Sequence, residues 1–596
     1  MSEKTFSKFG NVAIYVYWSR TKTLEANTIS YVEELIKVNE HVLFVSNSQI
    51  DLRDASKLTN MGVTFLQREN SGFDFWGWKD GINQFKDKIK KAKNLILCNS
   101  SCFLAFNSLD ALLLRMDDEA DLWGVSCFED RNTPFHLQSY FLLFKRTILQ
   151  DWDDFISFWN KLPKMSKWKE AVELGELRLT KFYLDRGFRC KSISVPAALP
   201  SDDVNPSFYY PIKLFQAGSP FLKKKIFSED YRLFLLPSYG DAPRAAMHYV
   251  REKGGRYNEI LSELITRSTP SQLIQSLQLN YIVGANQSCE RGSPSSNAAL
   301  ICFVYYEDMV EYISNILFRF HQITDVYIVS TKRSLLDLYR GRLTKILPTA
   351  HYRLQQNRGR NEAAYFLTCK DVWQKYDYVC ALHDKKTAHA RPSLQGIDFM
   401  KHCEQNLCPS TSTIIEIIEL FEKNPLLGLL VPPLPFFGNF ISSAYNPIGL
   451  NMSSIKLLNE KFFNGKLFSS NQIDVFAAPF GGMFWARTAA LDTLCSSTLS
   501  YEDFPQEPIG KSDGTILHAL ERCYPMIARS SGFYTARVLN ISLVPLIYNN
   551  LLYFCVKLPL KERLFFSFKN KTKQKLARSP FLYSLVRALF KKIMER

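Results

Sequence analysis

No two cysteines stand at C-x-x-C spacing; the closest pairs are Cys98/Cys102 and Cys403/Cys408. The 13 cysteines are an odd number, and Cys98, Cys302 and Cys380 sit inside apolar runs. Buried thiols in a reducing compartment are expected, not a disulfide framework. The nine histidines lack zinc spacing. Glycine and proline, 26 each in 596 residues, are too few for a collagen-like or low-complexity chain. With 46% hydrophobic and 22% charged residues, disorder as the main state is excluded. No stretch reads as a transmembrane helix. The best, Val538 to Leu560, is interrupted by Asn540, Pro545, Asn549, Asn550 and Lys557. The opening residues mix charges, and the apolar run Val12 to Trp18 is too short for a secretory signal. These absences lead us to expect a cytoplasmic protein, touching a membrane at its surface rather than spanning it.

What the chain does have is an uneven charge. Its net charge is +16, and residues 557–596 hold 12 Lys/Arg against 2 Asp/Glu. Phe581, Leu582, Leu585, Val586, Leu589, Phe590 and Ile593 recur at helical spacing after a Lys-rich run from Lys569 to Arg578. A basic amphipathic tail over 546–596 is expected, reading as an anchor on an anionic membrane surface or as a helix packed on the body. No nucleic-acid module accompanies the charge, so nucleic acid is not an expected partner.

The body repeats itself. Asn11 to Trp18 reads as a strand, followed by a helix near Leu24 to Val38 and strands at His41 to Ser46 and Val63 to Leu66. Asn70-Ser-Gly-Phe-Asp74 follows, then Trp78, Ile82, Phe85 and Ile89 at helical spacing, then a strand Asn94 to Cys98 ending at Asn99-Ser100-Ser101. The second half runs through strands at Ala299 to Tyr306 and Asp325 to Ser330, Asn357-Arg-Gly-Arg-Asn361, a helix, and a strand Asp377 to Leu382 ending at His383-Asp384-Lys385-Lys386. First strand to Asn-x-Gly is 59 residues in one half and 58 in the other. Two α/β domains with mainly parallel sheets are expected, over 1–225 and 298–545, joined by a partly helical connector over 226–297.

Ligands of such sheets bind beyond the carboxyl ends of the strands, where both Asn-x-Gly loops and both polar clusters fall. A glycine lets the backbone approach a nucleotide, and a carboxylate at the next strand end holds a divalent cation against a diphosphate. This assigns donor binding to Asn70, Gly72, Asp74 and Asn99 in the first half. In the second half it assigns Asn357, Arg358, Gly359, Arg360, His383, Lys385 and Lys386, with Asp384 as ligand of Mg or Mn. The same cluster also reads as a solvated loop, or as lysines meeting the diphosphate without metal. Glu502, Asp503, Glu507 and Asp513 are candidate general bases. Asp513 also fits as N-cap of a helix beginning near Thr515. Glu176 is the candidate base of the first half, or a surface helix position.

Several blocks make the chain resemble the rhamnan-synthesis protein F family, glycosyltransferase-like proteins of bacterial surface-polysaccharide assembly. In the first half they are Asn70-Ser-Gly-Phe-Asp-Phe-Trp-Gly-Trp-Lys79, Ala120-Asp-Leu-Trp-Gly124, His136-Leu-Gln-Ser-Tyr-Phe141, Glu176-Leu-Arg-Leu-Thr180 and Gly218-Ser-Pro-Phe-Leu-Lys223. In the second they are Asn357-Arg-Gly-Arg-Asn361, Leu382-His-Asp-Lys-Lys-Thr387, Phe480-Gly-Gly-Met-Phe-Trp-Ala-Arg487, Glu502-Asp-Phe-Pro-Gln-Glu507 and Asp513-Gly-Thr-Ile-Leu-His-Ala-Leu-Glu-Arg522. The resemblance implies tandem GT-A-like domains and an inverting glycosyltransferase. Its implied donor is a nucleoside diphosphate sugar, with rhamnose as the sugar, and its acceptor a polyprenyl-linked glycan. The sequence departs from the family pattern where Ser100 and Asn361 each replace an aspartate. Those losses keep open an alternative, a non-catalytic glycan- or nucleotide-binding scaffold with degenerate domains.

Overall fold

The computed structural model describes residues 6–194, 204–228, 230–285, 297–386, 394–441, 447–468, 473–510 and 513–557. The Lys-rich run and the expected tail helix lie outside the described residues. The chain divides into two compact units, Met1–Leu264 and Ile265–Arg596.

The main sheet of the first unit has seven strands among the described residues: β1 (Asn11–Tyr17), β2 (His41–Ser46), β3 (Thr64–Gln67), β4 (Asn94–Asn99), β5 (Leu122–Gly124), β6 (Phe141–Lys145) and β7 (Cys190–Ser192). Their order across the sheet is β7-β5-β6-β4-β1-β2-β3. Only β6 runs antiparallel to its neighbours. Every residue of β1 is buried, as in a parallel strand covered on both faces. Its side chains alternate: Val12, Ile14 and Val16 enter one core with Trp78 and Trp159, while Ala13, Tyr15 and Tyr17 enter the opposite core with Phe44 and Phe141. The periodic residues Trp78, Ile82, Phe85 and Ile89 are all buried, across helices Phe73–Gln84 and Lys86–Lys91.

The second unit has, among the described residues, eight strands: β8 (Asn280–Val283), β9 (Ala298–Phe303), β10 (Asp325–Ser330), β11 (His351–Leu354), β12 (Tyr378–His383), β13 (Leu427–Val431), β14 (Phe484–Arg487) and β15 (Tyr534–Asn540). The order is β8-β15-β13-β14-β12-β9-β10-β11, with β14 antiparallel to its neighbours. Apart from the edge strand β8, this repeats the first sheet strand for strand. The duplication read from spacing is therefore one of topology, in two α/β units with mainly parallel sheets.

The division falls within the expected connector: residues up to Leu264 belong to the first unit and those from Ile265 to the second. Gly255 and Arg256 are tied to the first unit: the Arg256 amide donates to the Ala105 carbonyl at 2.9 Å, and its guanidinium to Asn107 Oδ1 and Ser30 Oγ at 2.7 and 2.6 Å. A Cβ on Gly255 would lie 2.5 Å from the Ala105 oxygen, so a side chain there would break the seam. Farther on, Ser271 donates through amide and hydroxyl to Asp474, and β8 pairs in parallel with β15, both within the second unit.

Candidate functional site

Strand pairing aligns the two halves residue by residue. Val16 pairs with Asn99 in the first sheet and Phe303 with His383 in the second. The next amides, of Ser100 and Asp384, donate to the Val16 and Phe303 carbonyls at 2.9 and 3.1 Å. Ser100 thus stands where Asp384 stands, and Asn99 corresponds to His383. The Asn-x-Gly turns match as closely. Gly72 and Phe73 have φ of 75° and 56°, and Gly359 and Arg360 have 81° and 46°. Two successive left-handed residues turn the chain sharply onto the following helix, and the first must be glycine because it packs closely. A Cβ on Gly72 would lie 2.2 Å from the Trp76 ring, and one on Gly359 2.8 Å from Phe504.

In the second unit Asp384 is buried at the end of β12. Its Oδ2 accepts the amides of Tyr305 and Tyr306, both at 2.8 Å. Its Oδ1 is buried with no hydrogen-bond partner among the described residues. Burial pushes its carboxyl up to about 6, against the pull of the two amides and Lys332. His383 lies between the Asp384 carbonyl at 2.8 Å and the Gly481 carbonyl at 2.6 Å. Burial, and then Lys385, push this imidazole down to about 4, so it is neutral and has one N–H to donate. The contact ties the Gly481-Gly482 turn to the strand end. Lys385 lies over the Phe399 ring at 4.5 Å and has no carboxylate within ion-pair distance among the described residues. Lys386 pairs instead with Asp308.

The acids expected as bases are held by other work. Glu507 takes both Arg360 nitrogens, at 2.7 and 3.1 Å, and the Ile509 amide at 3.0 Å. Asp503 caps its own turn through Ser500 and pairs with Lys461. Glu502 is exposed; its backbone carbonyl accepts from Arg358, which also donates to the Phe504 carbonyl. Asp513 holds the 449–451 turn, accepting the Leu450 amide at 2.9 Å and Asn451 Nδ2 at 2.6 Å. Against burial, those bonds and Arg522 keep its carboxyl below the ordinary range. It is not the helix cap: the helix is Ile516–Ser530 with Thr515 before it. Arg358 and Arg360 therefore fasten the Asn-x-Gly turn to the acidic loop, and Asn357 is exposed.

The acid that does face the strand end is Glu521, which the sequence reading passed over. Gly482 shows the grouping: a Cβ there would meet Asn361 Nδ2 at 2.7 Å, Glu362 Oε1 at 3.4 Å and Glu521 Oε2 at 3.8 Å. Glu521 Oε1 is 3.3 Å from Arg522, and its charge is felt at His383 and His518. Glu176 is its counterpart. Each lies eleven residues before a left-handed glycine, Gly187 at φ 81° and Gly532 at φ 84°, and that glycine leads to β7 or β15. Aligning the repeat on these glycines would have found it.

The first unit brings together Asp74, Asn99, Ser101, Glu176 and Lys223; Asn70 is exposed. Asn99 Nδ2 donates to Asp74 Oδ2 at 2.9 Å, and Ser101 donates to Asn99 Oδ1 through amide and hydroxyl at 3.1 and 2.6 Å. Glu176 accepts the Ser139 amide at 2.7 Å and its hydroxyl at 2.5 Å. Burial pushes the Asp74 carboxyl up to about 6, with Glu176 adding and Lys223 opposing.

Among the described residues no cluster of three His, Cys, Asp or Glu side chains forms a metal cage. One orphaned carboxylate oxygen still suits a Mg or Mn ion, which is commonly held by one or two carboxylates plus substrate phosphates. Asp384 fits that role and Ser100 does not.

The chain is 28% identical over 170 residues to the uncharacterised protein y4gN of Sinorhizobium fredii, covering 28% of this chain and 44% of that one. The chain thus matches less than half the length of that relative. It is 23% identical over 265 residues to virulence protein VirA of Vibrio anguillarum, covering 39% of this chain and 84% of that one. Among solved structures, the glycosyltransferase GlyE of Streptococcus pneumoniae TIGR4 is a remote likeness, with 13% identity, a TM-score of 0.21, and coverage of 70% of this chain and 99% of that one. The model of rhamnan synthesis protein F matches residues 42–533, and the chain belongs to that family.

Proposed function

We propose that this protein is an inverting glycosyltransferase of cell-surface polysaccharide synthesis. It passes a 6-deoxyhexose, rhamnose, from a nucleoside diphosphate sugar to a polyprenyl-linked glycan. Family membership supports glycosyl transfer. The observation that carries the reading is the buried, orphaned Oδ1 of Asp384 at a strand end, with Lys385 next in the chain; Lys385 and Glu521 both border the Gly481-Gly482 turn.

In this reading the donor diphosphate lies over the β9 and β12 ends. Asp384 would hold a Mg or Mn ion, which when bound neutralises diphosphate charge. Lys385 adds a point charge. The acceptor hydroxyl oxygen bonds to the anomeric carbon as the carbon–oxygen bond to the diphosphate breaks. The electron pair leaves on the diphosphate, and Glu521 takes the hydroxyl proton. An anionic membrane surface is the proposed site of action. The helix Val544–Leu552 supports this: none of its residues is buried, it has no charged residue, and the basic stretch 557–596 follows.

The test is a donor screen with the purified full-length protein. Asp384→Asn is expected to reduce transfer by about 100-fold, and Glu521→Gln by about 100-fold or more. A wild-type protein that binds nucleotide sugars but neither hydrolyses nor transfers them is a scaffold, and the enzymatic reading fails.

A further inference from the structure

We propose that the first unit carries a second nucleoside-diphosphate site, one that meets the diphosphate with Lys223 instead of a metal ion. The proposal rests on the transferase reading of the second unit. Its own observations are separate.

The repeat preserves nearly every positioning element. The left-handed pair Gly72-Phe73 leads into Asp74, which meets Asn99 at the strand end, as Gly359-Arg360 leads into Asn361 beside Gly482. Glu176 occupies the place of Glu521, at the same distance from a left-handed glycine. The first unit therefore keeps the helix acid and adds a second one at Asp74. What it lacks is the carboxylate of Asp384. Ser100 accepts the Trp18 amide at 3.1 Å, so it fills the structural half of the aspartate's work and leaves nothing for a cation.

A cation of the protein's own stands beside the next residue, Ser101. Strand Phe221–Lys223 pairs antiparallel with Cys102–Leu104, the strand that directly follows Asn99-Ser100-Ser101, and Lys223 faces Cys102 in the register. The Lys223 ammonium lies 3.2 Å from Ser101 Oγ and 4.6 Å from the centre of the Tyr140 ring. It makes no salt bridge within 4.0 Å among the described residues, although Asp74 feels its charge. Neighbouring Lys224, by contrast, pairs with Glu263 at 2.7 Å. A half-buried ammonium held over a polar strand end, with the hydroxyl of Ser101 beside it, is a seat for a diphosphate. The positive charge that one unit would borrow from a metal is built into the other.

The experiment is calorimetric titration of the full-length protein with dTDP, UDP and GDP in turn, in EDTA and then in Mn. One of these diphosphates is expected to bind in EDTA at one site per chain. Lys223→Gln is expected to weaken that site by about tenfold or more, the scale of a lost charged contact, while Lys223→Arg retains it and Asp384→Asn leaves it unchanged. A second site is expected only in Mn and is lost in Asp384→Asn. No binding of any of the three in EDTA, or EDTA-resistant binding indifferent to Lys223→Gln in a protein that melts like wild type, overturns the proposal. If the EDTA-resistant site is present and the Mn-dependent one never appears, the first-unit site stands and the metal-assisted reading of the second unit falls.

Discussion

Glu362 is 1% exposed, and its carboxyl meets Asn361 Nδ2 at 3.0 Å and the Tyr524 hydroxyl. Burial, aided by the charge of Glu521, pushes it from its ordinary 4.5 to about 8. A raised acid stabilises the fold below its unfolded value and loses that contribution as pH climbs through the folded one. Stability is therefore expected to fall between about pH 5 and about pH 8, by an order of a few kcal/mol. Glu362→Gln removes the ionisation, so its melting temperature relative to wild type should rise across that window. A gap between the two proteins that is constant with pH would show that Glu362 does not govern it. Asp384 and Glu521 differ in how readily they are read. An aspartate at the end of an apolar strand stands out in any sequence. A glutamate inside a helix does not, because only packing against Gly482 and Asn361 gives it a direction.

At the scale of elements, the turn–helix junctions are the sensitive joints. Gly72→Ala places a methyl 2.2 Å from the Trp76 ring at a φ of 75°. It is expected to cost about 1–3 kcal/mol in chemical denaturation, from strain and displacement of the helix start. The acidic loop behaves differently. The Arg360–Glu507 fork is partly exposed, with side-chain exposures of 46% and 17%. Glu507→Ala should therefore cost only about 1 kcal/mol or less of stability. Because the fork holds the Asn-x-Gly turn in place, the same change should raise the donor KM by about threefold to tenfold with a smaller change in kcat. An unchanged KM would detach this loop from donor binding. Strand existence was largely legible, with His41–Ser46 and Asp325–Ser330 read to the residue. The reversed strands Phe141–Lys145 and Phe484–Arg487 were not, since direction within a sheet leaves no mark on hydrophobic alternation.

For the whole molecule, the proposed contact with an anionic bilayer rests on the exposed, uncharged helix Val544–Leu552 and on the basic composition of residues 557–596. Leu546 and Leu552 are 56% and 46% exposed, among residues that a monomer in water would rather cover. No described helix is long and apolar enough to cross a membrane. The full chain should sediment with vesicles containing anionic lipid and be released by high salt, since each basic residue near such a surface contributes about 1 kcal/mol that salt screens. Leu546→Asp with Leu552→Asp should shift protein to the supernatant at low salt. Sedimentation indifferent to both salt and these changes would remove the membrane from the proposal.

The sequence by itself determined that this is a duplicated α/β protein of the rhamnan synthesis protein F family, and which strand ends bear polar clusters. Alternation, glycine turns and block motifs are local, and the chain carries them wherever it folds. Tertiary structure decided the rest. Pairing of β1 with β4 and of β9 with β12 set Ser100 against Asp384 as equivalents. The antiparallel pairing of Phe221–Lys223 with Cys102–Leu104 brought Lys223 to a cluster some 120 residues away, and no local pattern encodes so distant a pairing. The acids Glu507, Asp503 and Asp513 look alike as letters. Only the folded chain assigns them to Arg360, Lys461 and the 449–451 turn, because a carboxylate's availability depends on which donors the fold has already placed around it.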